Sequence, residues 1–376
     1  MPIEIVGILS HREGSLTQKS PVVFDSEYLR LAARTLEHAG YDRALVAQSS
    51  FWPDSMPIAT YVAAHTERLK LMVAHRPGFV APTMAARQFA TLDHLSNGRA
   101  GIHIISAAND AETQCDGDFL NKEDRYRRSA EFVEILRTIW TTEKPADYAG
   151  TFYKFNKALS EVRPLQRPGI PVFWGGTSDI SLEKAARWAD IYAFSLQSLD
   201  HAKSFTEKIQ AMARGHGRSI GFQGGVRIIL GATEELAWRN AHEIAAILAA
   251  QAEARRQATG VAQDQSVAGG RKESALSSRQ GSASARVMEP TTKGEVIDKC
   301  LWTGTATASA GSNPPSLVGT PEQVADAILA YYDLGISGFM IRGFNMMQDA
   351  IEHGYELIPR LRAAVAQRDR LSGPAA

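Results

Sequence analysis

A chain of 376 residues with 41 Lys and Arg against 41 Asp and Glu has no spare charge to recruit nucleic acid, and no basic amphipathic helix marks it for a membrane surface. Cys115 and Cys300, its two cysteines, lie far apart, which argues against a disulfide framework and suits a reducing compartment. No apolar run reaches the length of a membrane span, and the opening MPIEIVGILSHREG lacks the basic start and apolar core of a signal peptide, so a soluble cytoplasmic protein is expected.

Along the chain, IEIVGILS (3–10) predicts a strand and EYLRLAARTLEHAG (27–40) an amphipathic helix stopped by a glycine. RALVAQ (43–48) and LKLMVAH (69–75) read as strands, with a helix at PIATYVAAHT (57–66) between them. A helix over 82–98, a strand at RAGIHIIS (99–106) and a long helix over 124–140 follow. GTFYKFN (150–156) reads as a small hairpin. PVFWGG (171–176), a helix from about Ser181, DIYAFS (190–195), a helix in 200–215 and VRIILGA (226–232) continue the alternation. GFMIRGF (338–344) is the last strand, with a helix after it.

Eight strands separated by helices demand parallel pairing with right-handed crossovers, and in this length they favour a closed (β/α)8 TIM barrel in a single domain over 1–376. A Rossmann sheet fits less well, since no G-x-G-x-x-G follows the first strand. Residues 251–318 break the rhythm between strands seven and eight. Rich in Ala, Ser, Gly and Gln, they read either as a disordered surface insertion or, better, as a mobile lid-like insertion at the catalytic end.

Chemistry in such a barrel sits at the C-terminal ends of the strands. Those positions hold Ser10, His11 and Arg12; Gln48 to Trp52; His75 and Arg76; Ser106 to Asp110; Gly175 to Asp179; Phe194 and Ser195; Arg227; and Arg342 to Asn345. The set is cationic and suits an anionic cofactor or substrate. No H-E-x-x-H occurs, and the G-x-S-x-G at GRSIG (217–221) lies between the helix in 200–215 and the strand VRIILGA rather than between a strand and a helix, so neither a metal site nor a serine hydrolase is expected. His38, His65 and His94 fall in helices as surface or packing residues; Arg127 and Arg128 read as a solvated helix face, and Trp174 as barrel packing. Trp52 suits packing or stacking. In VFWGGTSDISLEKAARW (172–188), Gly175 and Gly176 turn a strand sharply into a helix. Such a turn makes either a plain capped junction or a phosphate cradle.

RPGFVAPTMAARQFATLDHLSNGRAGIHIIS, DRYRRSAEFVEILRTIW, VFWGGTSD and SLVGTPEQVADAILAYYDLGISGFMIRGF together resemble the bacterial luciferase superfamily, and within it the FMNH2-dependent alkanesulfonate monooxygenase group. The likeness covers nearly the whole chain except the insertion, and the block PT-x-AARQ-x-ATLD-x-LSNGRA is its most specific part. It implies that Gly176, Thr177 and Ser178 hold a flavin 5′-phosphate, joined by Tyr126. Ala74–His75, His103, Ser106 and Ala107 would lie along the isoalloxazine. The resemblance further implies reduced FMN supplied by a separate NAD(P)H:flavin reductase. Oxygen would add at flavin C4a, and the peroxyflavin would oxidise a small organic, organosulfur substrate under a closed lid. A homodimer or homotetramer is expected.

The chain also departs from that group. Alkanesulfonate monooxygenases carry a cysteine after the second strand, a tryptophan after the sixth, Arg-x-His on the seventh, an arginine in the lid and a tyrosine after the eighth. Trp52, Ser195, Gly225-Val226-Arg227, roughly Ser309 and Phe344 stand there instead, while His11 is retained. Trp52, Ser195 and Phe344 thus become expected substrate contacts. A less charged or aromatic substrate becomes plausible beside a sulfonate. Arg227 and Arg342 would hold an anionic substrate group or a developing charge on oxygen, the alternative being that Arg227 merely pairs with a carboxylate at the barrel rim, and His11 would transfer protons. Two other functions remain open: an F420- or NAD(P)H-dependent oxidoreductase of the same superfamily, and a flavin-binding protein without turnover.

Overall fold

Residues 2–18, 20–106, 109–265 and 295–371 are described by a computed structural model. Its strands run in chain order as β1 (Glu4–Ile8), β2 (Arg43–Val46), β3 (Lys70–His75) and β4 (Ile102–Ile104), followed by an antiparallel hairpin of β5 (Ala146–Ala149) and β6 (Lys154–Ala158). Then come β7 (Val172–Gly175), β8 (Ile191–Ser195), β9 (Gly221–Leu230), β10 (Val296–Ile297), β11 (Leu301–Trp302), β12 (Ser316–Gly319) and β13 (Gly338–Arg342). Parallel pairing in the order β1-β2-β3-β4-β7-β8-β9-β13, with β13 back on β1, closes an eight-stranded barrel as the alternation predicts.

The helices are α1 (Ser26–His38), α2 (Ser55–His65), α3 (Pro82–Leu95), α4 (Asp110–Cys115), α5 (Lys122–Thr141), α6 (Asp179–Trp188) and α7 (Leu199–Gly215). They continue as α8 (Glu234–Gln265), α9 (Gly304–Ala308), α10 (Pro321–Tyr332), α11 (Met346–Glu352) and α12 (Ile358–Leu371). Side chains of Asp25, Asp54, Asn121, Ser198 and Thr320 cap the starts of α1, α2, α5, α7 and α10, satisfying amides that lack an intrahelical partner. Among the described residues no helix is long and apolar enough to cross a membrane.

Strand alternation sorts the barrel residues. Ile5, Val46, Leu71, Val73, Ile102, Ile104, Trp174, Tyr192, Ile228, Phe339 and Ile341 are buried against the helical layer. The opposite parity faces inward. At the floor Glu4 pairs with Arg43 at 3.1 Å and Lys70 at 3.2 Å, and the Arg43 guanidinium lies 4.8 Å from the Phe173 ring centre. Burial pushes the Glu4 carboxyl up, but the two cations hold it below its ordinary range. Nearer the mouth the inward positions include the small residues Ala74, Gly175, Ala193 and Gly225, with His103 beside Gly175 and the Met340 side chain over Gly225.

Two differences from the sequence pattern have clear causes. The seventh barrel strand starts at Gly221 rather than near 226, because GFQGG resembles a turn in sequence but pairs with both β8 and β13. Its glycines allow close packing: a Cβ on Gly224 would meet the Leu196 side chain. The fourth strand is shorter than 99–106, with only 102–104 in the ladder.

The insertion between the last two barrel strands is partly built into the fold. Residues 251–265 extend α8, and 266–294 lie outside the described residues. From 295 the chain forms β10, β11 and α9, then β12, which pairs in parallel with the far end of β9. Leu301, Trp302, Leu317 and Val318 are buried there, so the sparse large residues of the stretch are concentrated where it docks.

Candidate active site

The strand-to-helix turn after β7 is held from several sides. Trp174 donates through Nε1 to Ser181 Oγ at 3.2 Å, and Ser181 Oγ donates to the Gly175 carbonyl at 3.2 Å. The Tyr192 hydroxyl donates to the Gly176 carbonyl. Gly176 has φ +140°, and a Cβ there would lie 2.6 Å from Tyr126 Oη, so only glycine fits. Ser178 is the N-cap residue of α6, yet its side chain makes no cap bond. Its Oγ is buried with no hydrogen-bond partner. Thr177 is exposed beside it. The turn therefore combines a helix N-terminus, an unsatisfied hydroxyl and the Tyr126 hydroxyl.

The other expected flavin contacts divide by strand parity. His103 faces inward: a Cβ on Gly175 would lie 3.5 Å from its Cε1, and its Nδ1 is buried without a partner. Burial lowers it to a pKa of about 4, so the ring is neutral at neutral pH. His75 has the opposite parity, and its Nε2 is likewise buried without a partner. It shares the outward parity of Leu71 and Val73, and its ring stacks on Phe132 at 5.1 Å and meets Phe89 edge-on at 5.5 Å, inside the helical layer. Ala74 is the inward neighbour. Burial also lowers His75 to about 4. Ser106 shares a hydrogen bond with Ser129 Oγ at 3.0 Å, and its carbonyl accepts from Arg125 Nε at 2.8 Å. Ala107 lies outside the described residues.

At the opposite rim Arg227 and Arg342 are register partners on β9 and β13 and share the inward parity. Arg227 donates to the Gly343 carbonyl and, at 2.7 Å, to Asn313 Oδ1, while its guanidinium lies 4.3 Å from the ring centre of buried Phe344. Burial first, then the neighbouring Arg342, lowers Arg227 well below its ordinary value. Phe344 thus supports an arginine through its ring face. Ser195 ends β8 half-buried. Ser309 is buried, accepting from the Asn313 amide at 3.0 Å, so it supports the residue that holds Arg227.

His11 and Trp52 meet at the mouth, with ring centres 6.1 Å apart. Trp52 is 38% exposed beside His11, whereas Trp174 is fully buried as expected. Burial and Arg12 lower the His11 pKa. The loop after β1 is tied across the rim: Leu16 donates to Asn345 Oδ1 at 3.3 Å and accepts from Gln251 of α8 at 2.5 Å.

Sequence reasoning missed several residues. Glu112 on α4 accepts from Ser49 Oγ at 2.9 Å and Arg76 at 2.5 Å, tying together the ends of β2 and β3. Arg128 does not join the solvated face with Arg127; it pairs with buried Asp118, and a Cβ on Gly78 would strike its guanidinium. A helical projection would have separated the pair, since adjacent residues point about 100° apart.

A family model described as luciferase-like monooxygenase matches residues 4–338. Among solved structures, the chain is similar to the EDTA monooxygenase EmoA from Chelativorans sp. BNC1, at 20% identity and TM-score 0.73, covering 97% of this chain and 95% of that one. It is similar also to riboflavin lyase RcaE with modified FMN and riboflavin, at 18% identity and TM-score 0.74, covering 97% and 92%. A third, an F420-dependent secondary alcohol dehydrogenase with an F420-acetone adduct, matches at 14% identity and TM-score 0.63, covering 96% and 99%. At these identities the structural likeness speaks for the fold.

Proposed function

Because this chain belongs to the luciferase-like monooxygenase family, we propose that it is a two-component flavin-dependent monooxygenase, taking reduced FMN from a separate NAD(P)H:flavin reductase and using oxygen to oxidise a small organic substrate. The observation that carries the FMN reading is the turn at 175–178, where buried Ser178 Oγ lacks a partner at the start of α6. A flavin phosphate matches that donor set of Ser178, Tyr126 and helix amides. Thr177 stands exposed at the same turn. FMN, when bound in its reduced form, supplies the electrons that activate oxygen.

The chain's own residues do the rest. His103 offers a neutral ring toward the barrel interior, with one nitrogen unengaged. The inward residues Ala74, Gly175 and Ala193 beside it are small and suit a planar ring system. His11, beside Trp52, is the group that moves a proton at the mouth, since its depressed pKa keeps it mostly neutral at pH 7.

Hydride transfer with F420 or NAD(P)H is the competing reading, drawn from the F420-dependent relative. Anaerobic titration with reduced FMN, oxidised FMN and F420, followed by mixing with oxygen, separates the two. Monooxygenation expects tighter binding of reduced FMN and a protein-dependent rate of its reoxidation. Binding of F420 without binding of FMN overturns it.

A further inference from the structure

The inward faces of β9 and β13 meet in three layers: Gln223 beside Gly338, Gly225 beside Met340, and Arg227 beside Arg342 at the rim. The top layer sets two guanidiniums on neighbouring strands with the same parity. Among the described residues neither makes an ion pair with a carboxylate. The nearby carboxylate, Asp349, acts on Arg227 only through space, and its oxygen accepts the amides of Phe344 at 2.5 Å and Asn345 at 2.8 Å.

The two arginines are not equivalent. Arg227 is fixed by the Gly343 carbonyl, Asn313 and the Phe344 ring. The Arg342 guanidinium has no hydrogen-bonding partner among the described residues, although the residue is largely buried and burial lowers its pKa. Arginine does not shed its proton at working pH, so two like charges stay side by side, partly removed from water. An anion placed between them would offset both repulsion and desolvation. One layer below, Gly225 is covered by the Met340 side chain, whose Cε lies 3.2 Å from where a Cβ would stand, so the floor under the arginine pair is a flexible thioether.

We propose that Arg342 receives an oxyanion group of the organic substrate, a carboxylate or sulfonate, with Arg227 adding its charge from a fixed position. This deepens the monooxygenase reading and rests on it for the identification of the ligand as substrate. The alternative source of an oxyanion is the flavin phosphate. β13 lies three strands from β7 in the barrel order, so the rim arginines and the α6 turn are different places on the mouth.

The test titrates the full chain, with and without saturating FMN, with benzoate and methanesulfonate and with their neutral counterparts benzamide and dimethyl sulfone. Binding is read by calorimetry and by the shift in Tm. Saturable binding of the anions alone is expected, persisting in FMN-saturated protein and weakened at least about tenfold by Arg342→Gln, the scale of one lost charged hydrogen bond. Arg342→Lys should retain part of the affinity. Ligand-free Tm should not fall in Arg342→Gln or Arg342→Met, because a like-charge contact has been removed. Absence of anion binding, equal binding of the neutral compounds, or full anion affinity in folded Arg342→Gln overturns the proposal. Competition of benzoate with FMN but not with riboflavin also overturns it, by assigning the arginines to the phosphate. Anion binding through Arg342 in a protein that binds no FMN would sink the flavin reading while leaving the oxyanion site intact.

Discussion

Tyr126 Oη stands so close to Gly176 that a Cβ on the glycine would come within 2.6 Å of it, and the glycine's φ of +140° keeps the two in place. The turn after β7 is thus shaped by a helix two elements away in the barrel. Gly176→Ala should cost about 1–3 kcal/mol of stability and shift the turn. Thermal unfolding and FMN titration check this; an unchanged Tm with unchanged FMN affinity would show that the turn tolerates a side chain.

Removing hydroxyls tests the phosphate directly. Tyr126→Phe with Ser178→Ala should lower FMN affinity at least tenfold, each charge-assisted bond being worth about 1.5–3 kcal/mol. Riboflavin affinity should hardly move. Equal loss for both ligands would place the phosphate elsewhere on the barrel mouth.

The Glu112–Arg76 pair predicts a structural effect at the same mouth. Arg76 is 7% exposed and Glu112 23% on the side-chain scale, so removing the carboxylate leaves a largely buried cation. Asp116, 3.9 Å from Arg76, would take up part of that charge. Glu112→Ala should therefore cost about 2–3 kcal/mol in urea denaturation, below the usual range for breaking a buried pair. Arg76→Met together with Glu112→Ala should recover part of that loss. A double variant no more stable than the single one would mean the pair has little coupling.

Acid stability should report buried histidine. His353 is 1% exposed, accepts or donates through Nδ1 to Tyr41 Oη at 3.0 Å, and is lowered to about 4 by burial. Between the unfolded value near 6.5 and the folded value, the unfolded chain binds the proton and the folded one does not, so stability falls as pH falls. By pH 5 this amounts to about 2 kcal/mol. His353→Gln should lose about that much less stability than the parent between pH 7 and pH 5, measured by urea midpoints at each pH. His75 and His103 act in the same direction and remain in the variant.

His11 should govern the acidic limb of turnover. Burial and Arg12 lower its pKa, so protonation should cut activity only below its ordinary titration range. His11→Ala should lower the plateau and flatten that limb. A pH profile of unchanged shape would remove His11 from proton transfer.

The barrel itself was legible because its signals are local. Strand and helix periods, a glycine after a helix, and the PT-x-AARQ block are all carried by neighbouring residues, and closure follows from parallel crossovers. The Gly175–Gly176 turn was legible for the same reason. The early start of β9 was not: GFQGG has a turn's composition, and only pairing on both sides makes it a strand.

The character of the site was decided by tertiary structure. A list of strand-end residues treats His75 and His103 alike, but alternation buries one ring against Phe132 and turns the other inward. Ser181 and Tyr192, which lock the phosphate-like turn, have no motif of their own. Arg227 and Arg342 are 115 residues apart and read as two rim cations; barrel register makes them partners on one inward layer. Composition and period belong to the chain segment, whereas facing, register and the lack of an ion-paired carboxylate among the described residues arise only when distant strands close on one another.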